Sequence, residues 1–218
     1  MRQSFTAELE QLRLQVELMG VRVDENLERM REVLRDGDVE LAMSAVAADD
    51  DIDAMNVSLT ERCYDLLSRE SPVAGDLRFV VSVLRVLSEL ERVGDLALRV
   101  VKLAPDWELL HKHPATFDIL LSMADAAVEQ YRTALRAWST VDEALAGELA
   151  DGRPMEAFTE RFSGELIGIE GHDAVLCAVR TLVVGRSLDR IADHAAIIGA
   201  RLRYLITGDP AHLTAEIR

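Results

Sequence analysis

The sequence predicts an all-α protein made of two tandem antiparallel three-helix bundles, which an internal repeat relates by pseudo-two-fold symmetry. Apolar residues recur at i, i+3 and i+4 for tens of residues at a time, which is the period of an amphipathic helix, and no long alternating run typical of a strand occurs. All five prolines fall where this helical pattern begins, ends or weakens. The predicted fold therefore consists of long helices with proline-marked connections.

Six long helices follow from this pattern. They are predicted near residues 3–35, 38–69, 73–103, 115–146, 154–168 and 171–207. Helices of this length bury an apolar stripe against antiparallel neighbours when short loops join them. The helical pattern weakens over residues 104–114, so we expect a first bundle over residues 1–108 and a second over residues 109–218. Gly147 is expected to mark the break after the fourth helix.

An internal repeat supports this division. The eight residues Leu90–Ala97 align without gaps with Leu188–Ala195, which lie 98 residues further along the chain. Four positions are identical, and three others exchange Glu for Asp, Val for Ile or Gly for Ala. A spacing close to half the chain is what a tandem duplication produces, and it places the repeat in the third helix of each predicted bundle.

Charge and composition exclude several classes of function. The 218 residues include 24 basic and 39 acidic side chains, and the net charge of −15 opposes binding to nucleic acid or to an anionic membrane. No apolar run is long enough for a membrane span, so we expect a soluble, cytoplasmic protein without direct membrane insertion. Cys63 and Cys177 match no metal or redox spacing, and the chain has no nucleophilic triad, phosphate loop or dinucleotide motif. These residues point to a protein that is not an enzyme.

Two pairs of carboxylates distinguish the repeated helices. Glu91 and Asp95 lie one turn apart in the third helix, and Asp189 and Asp193 have the same spacing in the sixth. Glu91 and Asp189 each fall in a heptad row that is otherwise apolar, so we expect both to be buried. A buried carboxylate must be protonated, paired with a cation or bound to a metal, because an uncompensated charge is costly there.

The second helix offers a matching pair, Asp49 and Asp53. Antiparallel packing would bring these two close to Glu91 and Asp95, and four carboxylates around one point suit a magnesium, manganese, calcium or iron ion. Salt bridges from arginines of neighbouring helices are the structural alternative, and the candidates are Arg78, Arg85, Arg99 and Arg180. Three further side chains are candidates for the shell around the carboxylates: Arg92, Arg190 and His194.

The same segments resemble the motifs of the PhoU family of bacterial phosphate-signalling regulators. Residues 72–78 followed by 89–95 resemble the first family motif, and Leu188–Ala195 resembles the second. The resemblance covers nearly the whole chain and implies two PhoU domains, each with a metal cluster between its second and third helices. It implies iron, manganese, magnesium or zinc as the metal. The implied ligands are Asp49, Asp53, Glu91 and Asp95 at the first site, and Asp189, Asp193 and Glu156 at the second.

The resemblance also implies a function. Family members act as adaptors, so the chain is expected to be a non-enzymatic regulator that represses phosphate-starvation signalling and phosphate uptake. Its expected partners are a sensor histidine kinase and the ATPase of the phosphate transporter, and assembly as a homodimer is left open. Two other hypotheses come from the residues alone: a carboxylate-bridged metal enzyme, and a metal-storage or purely structural helical bundle.

Overall fold

The computed structural model describes the backbone of residues 2–217 and the side chains of residues 5–69 and 71–214. This part of the chain is helical and contains no strand, which confirms the predicted all-α class. Three helices form the first half: α1 (Arg2–Asp36), α2 (Val39–Glu70) and α3 (Ala74–Val101). They are joined by tight turns. Gly37 has a φ of 70°, and the Asp38 carboxylate accepts a hydrogen bond from the Leu41 amide at 2.9 Å, so α2 begins at a capped turn.

The second half contains more breaks than the sequence predicts. Its elements are α5 (Pro114–Thr140), α6 (Glu143–Asp151), α7 (Glu156–Ile167), α8 (Ala174–Thr207) and a terminal 3₁₀ helix (Pro210–Ile217). The segment between the halves, expected to be weakly helical, forms a 3₁₀ turn (Ala104–Asp106) and the short helix α4 (Trp107–His111).

The predicted fourth helix over 115–146 is wrong in its extent. α5 ends at Thr140 because Val141 adopts a left-handed conformation with φ of 54°, and Asp142 then caps α6 by accepting from the Leu145 amide at 3.0 Å. Gly147, expected to be the break, lies inside α6. The break thus comes from a capping aspartate and not from the glycine.

The apolar interior is continuous across the two halves. Within each half the long helices pack on one another, and α3 packs on α8 while α1 packs on α5. Polar contacts reinforce the second of these interfaces. The buried Tyr131 hydroxyl donates to the Gly20 carbonyl at 2.8 Å, and Arg132 pairs with Asp24 and Glu28 at 2.7 and 2.9 Å. The two repeats therefore lie face to face along α3 and α8, the helices that carry the repeated carboxylates.

Within residues 2–217, no helix combines the length and the apolar character that crossing a bilayer requires.

Candidate metal centre and its repeat-related counterpart

The first acidic cluster comprises Asp49 and Asp53 of α2 with Glu91 and Asp95 of α3. Asp49 is buried, with 7% of its surface exposed, whereas Glu91 is half-buried and the other two carboxylates are exposed. Gly94 gives Asp49 its room: a Cβ atom at this glycine would lie 3.1 Å from Asp49 Oδ1. The structure thus brings α2 and α3 together at the residues that the sequence singled out.

Burial and mutual repulsion disturb the titration of this cluster. Burial, together with the charges of Asp53 and Asp95, raises the pKa of Asp49 from 3.8 to about 6, and Lys102 only partly opposes this shift. The pKa of Glu91 is also raised, first by burial and then by Asp95. Both shifts mean that the cluster holds more negative charge than its surroundings stabilise.

Among the described side chains, none of the four arginines considered as salt-bridge partners forms an ion pair with this cluster. Arg85 pairs with Glu89, and Arg180 pairs with Asp106 at 3.0 Å. Among the described side chains, none of the four carboxylates of the first acidic cluster forms an ion pair or a hydrogen bond. Within the same part of the chain, no three metal-ligating side chains converge tightly enough to enclose an ion. The donor set suits a hard divalent cation, but the exposed carboxylates would have to rotate inward to complete the site.

The second acidic cluster comprises Asp189 and Asp193 of α8 with Glu156 at the start of α7. Here arginines accompany the acids. Asp189 Oδ2 lies 2.8 Å from Arg186 Nη1, and Asp193 Oδ2 lies 3.7 Å from Arg190 Nη1. Burial and the charge of Asp193 raise the pKa of Asp189, while these two arginines oppose the rise. Glu156 is exposed and lines a cavity of about 320 Å³ with both aspartates.

The expected burial of the heptad row that contains the acids is wrong. In that row Leu77 is 41% exposed and Val175 is 80% exposed. The two acids of the row, Glu91 and Asp189, are only half-buried. The adjacent row lies in the core instead, with Val80, Leu87 and Gly94 in α3 and Gly185, Ala192 and Gly199 in α8. The acids therefore lie along the edge of each interface, where they reach both the interior and water.

Sequence reasoning missed a buried pair between the repeats. His194 Nδ1 lies 2.5 Å from Glu89 Oε2, and the side chains of these residues are 8% and 2% exposed. The other Glu89 oxygen is 3.2 Å from Arg85 Nε. Glu89 aligns with Ser187 in the repeat and lies 105 residues from His194, so no spacing rule could have found the pair.

The other two candidates for the shell around the carboxylates, Arg92 and Arg190, differ from each other in their contacts. Arg190 contacts Asp193, whereas Arg92 is exposed and makes no ion pair among the described side chains. The metal assignments for both clusters stay predictions.

Together these features define a class of protein: an all-helical protein in which two long helices, α3 and α8, carry similar acid pairs and pack against each other. Comparison with known proteins specifies the class further. The model of the PhoU domain matches residues 16–104. Two relatives cover 97% of this chain: the phosphate-specific transport system accessory protein PhoU of Serratia marcescens, 28% identical, and a PhoU homolog of Pseudomonas aeruginosa, 29% identical. The chain spans 88% and 89% of their lengths.

Solved structures agree with these sequence matches. The crystal structure of PhoU from Pseudomonas aeruginosa superimposes with a TM-score of 0.87 at 29% identity, covering 94% of this chain and all of that one. The phosphate transport system regulatory protein PhoU from Streptococcus pneumoniae gives a TM-score of 0.81 at 26% identity, covering 94% of this chain and 98% of that one. Over nearly its whole length, the chain is thus similar in sequence and in fold to PhoU proteins.

Proposed function

We propose that this chain is a regulatory accessory protein of a phosphate-specific transport system. In this role it represses phosphate-starvation signalling and phosphate uptake by docking on a sensor histidine kinase and on the ATPase of the transporter. One observation carries the proposal: the likeness to accessory proteins of this system extends over nearly the full length of both chains, in sequence and in fold. A regulator of this kind works in the cytoplasm, where a transporter ATPase and a kinase domain are accessible.

Docking on another protein requires an exposed surface that gains free energy when it is buried, such as an apolar patch. Leu77 and Val81 of α3 and Val175 and Val179 of α8 are exposed apolar residues at positions that the 98-residue repeat relates. Val175 and Val179 lie one turn apart and are 80% and 51% exposed, so they form an apolar stripe on α8. Apolar stripes that a monomer leaves in water favour contact with another protein.

Regulation by docking requires binding and no chemical step. The chain biases the kinase toward its inactive conformation when it binds that conformation more tightly than the active one. A non-enzymatic role is consistent with the acid clusters, because their described side chains include no nucleophile with an adjacent base.

The proposal assigns a divalent cation to the first acidic cluster, with iron, manganese, magnesium and zinc as the candidates. Asp49 and Glu91 would bind it from the buried side, and Asp53 and Asp95 would close the site from the exposed side. The cation would supply positive charge that neutralises the cluster and links α2 to α3. The raised pKa of Asp49 supports this assignment, as does the absence of an ion pair at the four carboxylates among the described side chains.

Deletion and complementation test the proposed function. In a strain that lacks this chain, we expect phosphate-starvation genes to stay active when phosphate is plentiful. The wild-type chain should restore repression and should retain the kinase or the transporter ATPase in a pull-down. The double change Val175→Ser with Val179→Ser should weaken both effects. Val57→Ser is the matched control, because Val57 is 59% exposed on α2, outside the stripe.

Other outcomes would contradict the proposal. Normal repression in the deletion strain, or a purified chain that retains neither partner, would assign the protein to another pathway. Substrate turnover by the purified chain would favour the metal-enzyme hypothesis. Bound metal with no dependence of repression on the chain would favour storage or a structural role.

A further inference from the structure

A cleft lies where the two repeats meet, beside the buried Glu89–His194 pair. It has a volume of about 370 Å³, and its walls come from α3, from α8 and from the connection between α6 and α7. Its charged lining consists of four guanidinium groups and two carboxylates, with His194 at the base: Arg85, Arg92, Arg153, Arg190, Glu89 and Asp193. A local excess of arginine is unexpected in a chain whose net charge is −15.

The two carboxylates do not neutralise this cleft. Both oxygens of Glu89 are already engaged, by Arg85 at 3.2 Å and by His194 at 2.5 Å. Asp193 is 3.7 Å from Arg190, which is longer than a good charge-assisted hydrogen bond. Among the described lining residues, Asp193 is then the carboxylate left beside three guanidinium groups. Glu91 and Asp189, which do not line the cleft, act on Arg92 and Arg190 only through their charge.

Two of these arginines form no ion pair or hydrogen bond with a carboxylate among the described side chains. Arg92 projects from α3 into solvent and makes no ion pair. Arg153 donates only to backbone carbonyls, from Nη1 to Ala150 O at 3.3 Å and to Gly152 O at 2.8 Å. These two bonds hold its guanidinium at the end of α6, on the wall of the cleft. The guanidinium of Arg153 is therefore held in place before a ligand binds.

We propose that this cleft binds a small tetrahedral oxyanion of the phosphoryl type. Arginine presents several N–H donors in a planar fork, and this fork matches the oxygens of a phosphoryl group in a way that a lysine ammonium does not. Guanidinium groups from three elements surround the cleft, so they suit an anion with acceptor oxygens on several sides better than a planar carboxylate. The site is distinct from the first acidic cluster and does not depend on the docking function.

Both free inorganic phosphate and a phosphate monoester carry this group. The cleft is far too small for a nucleic acid, and the overall negative charge of the chain opposes one. Bound anion would bridge α3 and α8, so it would hold the two repeats together at the contact that carries their acid pairs.

Calorimetric titration of the full chain tests this inference. The titrants are inorganic phosphate, glycerol phosphate as the monoester, and acetate as a planar anion, all at constant ionic strength with chloride as the background. A chelator is present throughout, so that a cation at the first acidic cluster cannot recruit phosphate. We expect saturable one-to-one binding of phosphate or of the monoester, and the tighter of the two identifies the source of the ligand. Acetate should bind more weakly than either.

Matched arginine variants locate the site. Arg92→Gln removes a side chain without a described partner, so the fold should be intact, and we expect it to weaken binding about tenfold, as the loss of one charge-assisted hydrogen bond would. Arg190→Gln should weaken it similarly. The control is Arg99→Gln, an exposed position two turns along α3 that does not line the cleft.

Three results would overturn the inference. One is the absence of saturable binding by the wild-type chain. Another is an equal loss of affinity in Arg99→Gln and Arg92→Gln, which would show a nonspecific charge effect. The third is acetate binding as tightly as phosphate. A failure of docking in the cell would leave these titrations unaffected, so the two proposals fail separately.

Discussion

The two acidic clusters share a repeated acid pair, Glu91 with Asp95 and Asp189 with Asp193, but the side chains added around each pair differ. In the first, Asp49 faces other carboxylates, and its pKa is raised to about 6. In the second, Asp189 has Arg186 at 2.8 Å, and arginines oppose the rise in its pKa. A duplicated motif therefore does not fix the electrostatics of its copies, because the neighbouring side chains decide whether the charge is left for a diffusible cation or compensated within the chain.

A single repeat position illustrates the same difference. Gly94 in the first copy corresponds to Ala192 in the second. A Cβ atom at Gly94 would crowd Asp49 Oδ1 at 3.1 Å, whereas the second copy carries a methyl group at the equivalent place. The first copy thus keeps space for a carboxylate from its neighbouring helix, and the second has filled that space.

The largest effect is expected at the buried pair between the repeats. His194→Ala leaves one oxygen of the buried Glu89 carboxylate without its hydrogen-bond partner, and an unsatisfied buried charged group costs about 3 kcal/mol. Urea unfolding of the chain should report this loss in the free energy of unfolding. The control is His172→Ala, at an exposed position, which should change stability little. An equally small change in both variants would show that the pair does not stabilise the contact between the repeats.

The next prediction contrasts the two clusters by one Asp→Asn change in each. In chelator at about pH 8, Asp49→Asn should raise the free energy of unfolding by about 1 to 2 kcal/mol, because it removes a buried charge that its neighbours repel. Asp189→Asn should instead leave stability unchanged or lower it, since Arg186 loses its partner. Chemical denaturation of both variants measures the difference. Equal shifts of the same sign would remove the distinction between the clusters.

Acidification gives a smaller test of the first acidic cluster. The folded pKa of Asp49, about 6, lies above its ordinary value of 3.8, so the folded state binds this proton more tightly than the unfolded state. The contribution of this group to stability is fully present below 3.8 and is lost as the pH rises through 6. In chelator, the wild-type chain should therefore gain about 1 kcal/mol relative to Asp49→Asn between about pH 8 and about pH 5. Parallel pH profiles for the two proteins would contradict this assignment.

The smallest effects are expected at the repeat-related small residues. In Gly94→Ala, crowding of Asp49 opposes the gain in helix propensity, so stability should change by less than about 1 kcal/mol while cation binding weakens. Ala192→Gly should cost about 1 kcal/mol through helix propensity alone and leave cation binding intact. Thermal melts with and without manganese measure both quantities. A cation response that weakens equally in the two variants would argue against a special role for Gly94.

Helix periodicity and the repeat were sufficient to predict the helical class and the meeting of α2 with α3 at their acids. They did not predict the break at Val141, because a valine in the left-handed region has no sequence signature and the Asp142 cap lies within an otherwise helical pattern. Heptad counting also assigned Glu91 to the core, since it cannot distinguish the centre of an interface from its edge.

The contacts between the repeats were beyond sequence reasoning for a different reason. The Glu89–His194 pair and the cluster of arginines around the cleft join residues that are distant in the chain, and neither follows the spacing of a helix. Such contacts depend on how α3 crosses α8, which a periodic pattern does not determine.

Metal analysis of charge-matched double variants tests the central contrast most directly. Protein prepared without an affinity tag is loaded with manganese, dialysed and analysed for bound metal, alongside Glu91→Gln with Asp95→Asn and Asp189→Asn with Asp193→Asn. Each double variant removes two negative charges from one copy of the repeat. We expect the wild-type chain and the second variant to retain the metal and the first variant to lose it. A wild-type chain that retains no metal, or equal retention by the two variants, would contradict the account.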